Sequence, residues 1–414
     1  MIKFDHPPDG ERSVFSSGAR MSGQHLRWLL RRWTPSHLFY RARLPFRRRL
    51  RSKRRETFCA PFAKRDDAQP TTGPALVFGE FSGMHGLGRA AAYDVGMLEG
   101  RHSSVHTIDI SSHLNGEQSR LPELHGPFEN VYLFCQPDTY DTVFRLLNPN
   151  DVRRAYRVAR WVWETPKFPN EWRFAERLVH EVWTPSAFCA EMFRKSLDLP
   201  VSVRPHRVSE PPETRIDIRR RLGVPREAFM GLAVMDIQSC PARKNPWAHV
   251  HAWQEAFGDD AAAILVFKIR ANKRTKIVLD ELQELIGDAS NIRLLCDDLD
   301  NMEIAALHRA ADVYLSLHRS EGFGLNINEA LLLGKPVIAT NWSANTEYGP
   351  HFKSYRGVPF RLVPYNDWLC QYPDGSFCWA EADVKRAASH LRDVRVCFNR
   401  SSCLSSDETQ ASIK

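Results

Sequence analysis

Residues 321–340 read EGFGLNINEALLLGKPVIAT and directly follow the strand-like DVYLSLH of residues 312–318. The run after Asp312 predicts a buried strand, and Gly322 and Gly324 predict a loop after it. A helix should begin at about Asn328 and stop at Gly334, which supplies a left-handed end, with Pro336 blocking its continuation. A strand, a glycine-containing loop and a helix N-terminus together offer backbone N–H groups and a positive dipole end to an anion. Glu321 stands at the loop entrance and Glu329 in the first helical turn. Two carboxylates aimed at one crevice suit a ligand with vicinal hydroxyls, a sugar or a ribose, because each can accept two hydrogen bonds.

Working outward, strand-like and helix-like segments alternate, which implies parallel α/β sheets. The first block offers ALVFGE (75–80), SSVHTIDI (103–110), NVYLFCQ (130–136), ARWVWE (159–164), EVWTPS (181–186) and VSVRPH (201–206). SEPPE at 209–213 breaks the pattern. The second block then runs FMGLAVMD (229–236), AAILVFKI (262–269), NIRLLC (291–296), DVYLSLH and KPVIAT (335–340). The expected plan is a basic extension over 1–72, an α/β domain over 73–210, a second over 213–370 and a C-terminal segment over 371–414 that loses periodicity after Asp393. Doubly wound sheets of this kind bind ligands at the carboxyl ends of their strands.

Other residues carry chemistry in the same places. GEFSGMHGLGRAA (79–91) is a strand, a glycine loop and a helix start, in which Gly86, Gly88 and Ala91 match a dinucleotide fingerprint. Asp109 ends the next strand, where a ribose-binding acid would sit, so a nicotinamide-dependent oxidoreductase is the alternative reading. Glu164 and Lys268 fall at predicted strand ends near the crevice, Glu164 as a candidate acceptor-side residue. Asp298-x-Asp300 imitates a metal-binding pair, but Asp300 with Glu303 reads better as a capping box. The histidines, at 85, 102, 106, 113, 249 and 251 among others, form no H-x-x-H or H-E-x-x-H pattern, so no metal is expected.

Composition bounds the rest. A chain of 414 residues with 43% hydrophobic residues can fill two or three cores and is no disordered polymer. The longest apolar run, Ala261 to Phe267, is far short of the roughly 18–20 residues a membrane span needs. MIKFDHPPDG lacks the apolar stretch of a secretory signal, which leads to an expected cytoplasmic location. Nine scattered cysteines without a C-x-x-C pair read as reduced thiols. Residues 1–70 hold 17 Lys and Arg against 6 Asp and Glu, which exceeds the net charge of +8, so the remainder is slightly acidic and offers no track for nucleic acid. From Arg20 to Arg55 there are 13 basic residues and no acid. Leu26, Leu29, Leu30 and Trp33 recur on one side of a helix predicted to start at Ser22 and end at Pro35. That segment is a candidate contact for the anionic inner face of a cell membrane.

The segment 321–340, with NWSANTEY (341–348) after it, closely resembles the signature of family-4 retaining glycosyltransferases. WVWETPKFPNEW (161–172), EVWTPSAF (181–188), DIQSCPARKNP (236–246) and HRSEGFGL (318–325) are similar to segments of its bacterial members. The resemblance implies the GT-B fold, two Rossmann-like domains facing across a cleft. It further implies retaining transfer of a hexose, with mannose favoured, from a nucleotide sugar to a saccharide or lipid-linked acceptor in polysaccharide or lipopolysaccharide synthesis. By the same resemblance Glu321 lies beside the donor sugar, Glu329 holds the ribose, and Gly322, Phe323 and Gly324 border the donor's sugar and phosphates. Lys244 matches the family's diphosphate-neutralising Lys. The Arg usually about six positions earlier is Gln238, which leaves Arg243 to substitute, with Lys268 nearby. His85, Gly86 and Gly88 take the place of the first domain's loop towards phosphates and acceptor. No cofactor and no metal are implied.

Overall fold

The structure, a computed structural model, describes residues 35–83, 86–114, 126–367, 372 and 377–411, with side chains described within 46–399. The chain divides into residues Met1–Arg47 and a body, Arg48–Lys414. Of the first unit, the described part is the opening of helix α1, Pro35–Cys59. Pro35, expected to end a preceding helix, is itself helical and lies at the edge of the described residues. The amphipathic pattern of residues 22–33 lies outside the described residues.

The body contains two six-stranded parallel sheets. The first is built from β1 (Ala75–Gly79), β2 (Val105–Asp109), β3 (Asn130–Phe134), β4 (Tyr156–Arg160), β5 (Glu181–Thr184) and β6 (Val201–Val203), in the order β2-β1-β3-β4-β5-β6. The second comprises β7 (Phe229–Asp236), β8 (Ala263–Arg270), β9 (Ile292–Leu295), β10 (Val313–Ser316), β11 (Val337–Thr340) and β12 (Tyr355–Val358), in the order β12-β11-β10-β7-β8-β9. Strands such as β1, β3 and β8 are mostly apolar and buried along nearly their whole length, as in parallel sheets covered on both faces. Close layering has a local requirement at Gly231 in β7, where an added Cβ would lie 2.4 Å from the Trp253 ring. Strand order reverses between β1 and β3 in the first sheet and between β7 and β10 in the second. At such switch points the loops leaving neighbouring strands diverge and open a crevice. The loops after β1, β7 and β10 carry the three motifs read from the sequence.

Several expected boundaries move. Residues 48–72 do not form an appendage, because Cys59 and Phe62 are buried in the first domain's core. Arg55 pairs with Asp138 and Asp141, and the Arg157 side chain donates to the Phe62 carbonyl. β4 ends at Arg160, four residues earlier than expected, so Glu164 lies in the following loop. Beyond β12 an antiparallel hairpin, β13 (Phe360–Pro364) with β14 (Cys378–Ala382), was not anticipated. Its alternation is too short and too aromatic to stand apart from loop sequence. The last segment is helical instead of irregular, over Val384–Ala411, and Ala387, Leu391 and Val394 join the second core. The second domain thus extends past residue 370. Polar residues that mask the periodicity, such as Arg392 and Arg395, reach back to carbonyls of that domain.

Candidate functional site

The predicted strand, loop and helix around residue 321 are present. β10 leads into the loop 317–324, and helix α8 runs Leu325–Leu332, starting three residues earlier than expected. The earlier helices that bear on the site are α2 (Gly86–Val95), α3 (Ala187–Ser196), α4 (Ile218–Arg221), α5 (Pro241–Lys244), α6 (Pro246–Phe257) and α7 (Asn301–Ala310). Gly324 has φ of +86°, a left-handed conformation that disfavours any side chain, and an added Cβ would also press on Ile327 and Tyr348. Tyr348 fixes the loop by donating to the carbonyls of Phe323 and Gly324 at 2.8 and 2.9 Å. Phe323 is buried with its ring edge-on to His206 of the first domain, 4.9 Å away.

Glu321 is held by cations from the loop after β7. α5 begins where Cys240 caps it and ends at Asn245, whose φ of 53° turns the chain sharply. This one-turn helix places Lys244 Nζ 2.5 Å from Glu321 Oε1 and Arg243 3.3 Å from Glu321 Oε2. Burial by itself would raise the Glu321 carboxyl, but Lys244, then Arg243, outweigh it and bring it down to about 2. Arg243 is 2% exposed and also contacts Glu164 at 3.2 Å, the Ser320 carbonyl at 2.9 Å and Ser239 at 3.1 Å. So enclosed, it holds carboxylates of both domains together and does not present an open phosphate ligand, which corrects the substitution expected for it. Glu164 also receives the Tyr372 hydroxyl at 3.4 Å, and its carbonyl accepts from Ser320. It faces the second domain's cations. Gly322 is at the same contact, where a Cβ would meet Val162 Cγ1 at 2.3 Å, and its carbonyl accepts from Ser186 Oγ at 2.8 Å.

Glu329 is 1% exposed and is covered from the first domain. Arg89 of α2 forms an ion pair with its Oε1, and the Tyr93 hydroxyl donates to the same oxygen at 3.3 Å. Arg89 also donates to Asn326 Oδ1 at 3.3 Å. Glu329 Oε2 has no hydrogen-bond partner among the described residues, with His308 Nε2 3.6 Å off. Desolvation holds His308 below its ordinary value, so the imidazole is neutral at pH 7. Arg89 and Tyr93 were missed in the sequence. The arginine follows directly on the glycine loop, but nothing in the spacing reveals a partner 240 residues away.

The remaining candidates fall elsewhere. Gly88 serves packing, since a Cβ would lie 2.4 Å from the carbonyls of Glu80 and Gly83, whereas Gly86 faces open space. His85 lies outside the described residues. Asp109 accepts from the backbone and hydroxyl of both Ser82 and Ser111 and so ties two loops together, which does not support the oxidoreductase reading. Lys268 is buried in β8, with its ammonium 3.5 Å from the Ile269 carbonyl, and no contact among the described residues joins it to Glu321 or Glu329. Asp300 and Glu303 form the capping box of α7. One further contact crosses between the domains. Glu347 accepts from the Ala187 and Phe188 backbone N–H groups at the start of α3, both at 2.8 Å.

Residues 293–358 match the family model for glycosyl transferases group 1. The matched stretch spans Glu321, Glu329 and Glu347. A curated relative, a putative glycosyltransferase 48 of the Sulfolobus islandicus filamentous virus (isolate Iceland/Hveragerdi), is 29% identical over 140 residues. That alignment covers 31% of this chain and 42% of the relative, so the chain spans under half of its length. Among solved structures, WaaG, a glycosyltransferase involved in lipopolysaccharide biosynthesis, superimposes with a TM-score of 0.52 at 15% identity, covering 78% of this chain and 90% of that one. A glycosyltransferase from Rickettsia africae ESF-5 gives a TM-score of 0.51 at 15% identity over 82% and 99% of the two chains. Anabaena Alr3699/HepE in complex with UDP-glucose gives 0.50 at 14% identity over 82% and 99%. The fold is GT-B.

Proposed function

We propose that this chain is a retaining glycosyltransferase that moves a hexose from a nucleotide sugar to a saccharide or lipid-linked acceptor. One observation carries the reading. Glu321 and Glu329, Lys244 and the first turn of α8 all gather where β7 and β10 diverge. In this reading Glu329 takes the ribose hydroxyls and Glu321 the donor sugar. Lys244 and the amides that begin α8 stabilise the departing diphosphate, the hard part of breaking a glycosidic bond to phosphate. The acceptor hydroxyl approaches on the leaving-group face, and the departing phosphate takes its proton. Glu164, reaching the cleft from the first domain, lies on the acceptor side. Gly322, Phe323 and Gly324 shape the donor pocket, and Arg243 fixes the two carboxylates it bridges.

The family-4 resemblance supports mannose and cell-surface polysaccharide or lipopolysaccharide assembly, while the HepE complex supports UDP as the carrier. A panel of UDP- and GDP-sugars, scored by slow hydrolysis and by thermal shift, tests the reading. Stabilisation by none of them would remove it. The leaving-group stabilisation proposed here needs no divalent metal, so activity should persist in EDTA. A loss restored by Mn²⁺ would return attention to Asp298 and Asp300.

A second proposal concerns location. No helix among the described residues is long and apolar enough to cross a membrane. Arg49, Leu50, Arg51, Lys53 and Arg54 are exposed on α1. Such residues suit the anionic cytoplasmic face of a membrane, at up to about 1 kcal/mol per cation. Reversing Arg49, Lys53 and Arg54 to Glu in the full chain should abolish flotation with anionic liposomes, as should salt.

A further inference from the structure

The donor site is short of cations. A nucleoside diphosphate brings at least two negative charges, yet Gln238 stands where the resemblance would place an arginine and is hydrogen-bonded to Asn272 at 2.9 Å. Arg243 is sealed between carboxylates, and Lys268 makes no contact with the cluster. Among the described candidates, Lys244 alone remains on the second domain's side. At the same time, Glu329 is covered by Arg89, which bonds Asn326 in the first turn of α8 as well. The Arg89 side chain keeps 20% of its surface exposed, in contrast to the enclosed Arg243. A guanidinium has five N–H donors in one plane, more than the few oxygens that occupy it here.

Resting on the donor-site reading above, we propose that Arg89 is a diphosphate-binding residue supplied by the first domain. Without nucleotide its guanidinium rests on Glu329. When ribose hydroxyls take Glu329 Oε1, Arg89 shifts along the first turn of α8 and forks onto the phosphates. The exchange leaves Glu329 hydrogen-bonded and adds the second cation next to the helix dipole, where an anion is already favoured. It also makes nucleotide binding report on domain closure, because Arg89 reaches α8 only when the two domains meet. Tyr93, four residues along α2 on the same face, stays as the fixed donor to Glu329.

The test separates diphosphate from nucleoside. Binding of UDP and uridine, and of GDP and guanosine, is measured calorimetrically on the full chain, wild type, Arg89→Ala and Arg89→Lys. The proposal expects the diphosphate-to-nucleoside affinity ratio to fall at least tenfold in Arg89→Ala, with nucleoside binding unchanged or tighter because a competitor for Glu329 is gone. Arg89→Lys, which keeps the charge but not the planar fork, should lie between them and guards against a fold defect in the alanine variant. A ratio equal to wild type in Arg89→Ala overturns the role of Arg89 while leaving the donor site standing. If wild type binds neither diphosphate, both readings fall together.

Discussion

Glu321 and Glu329 belong to one twenty-residue motif, yet they are held in opposite ways. Glu321 is anchored mainly within its own domain by Lys244 and Arg243, whereas Glu329 is covered by Arg89 and Tyr93 from the other domain. One carboxylate is therefore preorganised whatever the domains do, and the other depends on their meeting. The eight-residue spacing sets both on one cleft rim, but the partners come from loops that leave different strands.

Acid should act most strongly on the Glu321 side of this comparison. His249 is a neutral buried bridge that accepts from Leu317 N at 2.9 Å just ahead of the loop, and desolvation brings it down to about 4. Its folded-state value is depressed, so its contribution is complete above the ordinary histidine range and is lost as pH falls from about 6.5. Glu321, brought to about 2, contributes fully above about 4.5 and loses that contribution on the way down to 2. Each shift corresponds to about 3 kcal/mol. Denaturant midpoints measured across pH 7 to 2 should fall in two stages, and Lys244→Met should move the lower stage towards pH 4. A lower stage unmoved by Lys244→Met would show that Glu321 does not depend on its lysine.

Gly322 joins the regions, since its missing side chain lets Val162 sit against the loop. Gly322→Val should cost about 2 kcal/mol through overpacking, read as a lower melting temperature. Val162→Ala should recover part of it.

Glu329→Ala and Lys244→Ala should each lower kcat/KM for the donor at least tenfold, about 1.4 kcal/mol of transition-state stabilisation. The comparison sharpens in how they do so. On the proposed roles, with Glu329 on the ribose and Lys244 on the leaving diphosphate, Glu329→Ala should act through the KM for donor and Lys244→Ala through kcat. Identical profiles would break the distinction between the carboxylates.

The smallest expected effect lies outside the cleft. Asp300 caps α7 with its side chain on the Glu303 N–H at 2.8 Å. Asp300→Ala should cost about 1 kcal/mol of stability and leave turnover untouched. A large loss of activity there would reopen the question of a metal.

The sequence by itself determined the alternation of apolar strands with helices, the strand–glycine loop–helix at residue 321 and the capping box, because each is written in local spacing and burial periodicity. Its resemblance to family-4 glycosyltransferases also pointed to Lys244, in the loop after β7. Only the tertiary structure decided that Arg243 is sealed between Glu164 and Glu321, that Asp109 ties two loops, that residues 48–72 and 384–411 belong to the cores, and that Arg89 covers Glu329. Side chains such as these are chosen by what stands opposite them across a domain contact. An ion pair between residues 89 and 329 leaves no periodic trace in either segment, and its strength depends on a desolvation that exists only once the domains have closed around it.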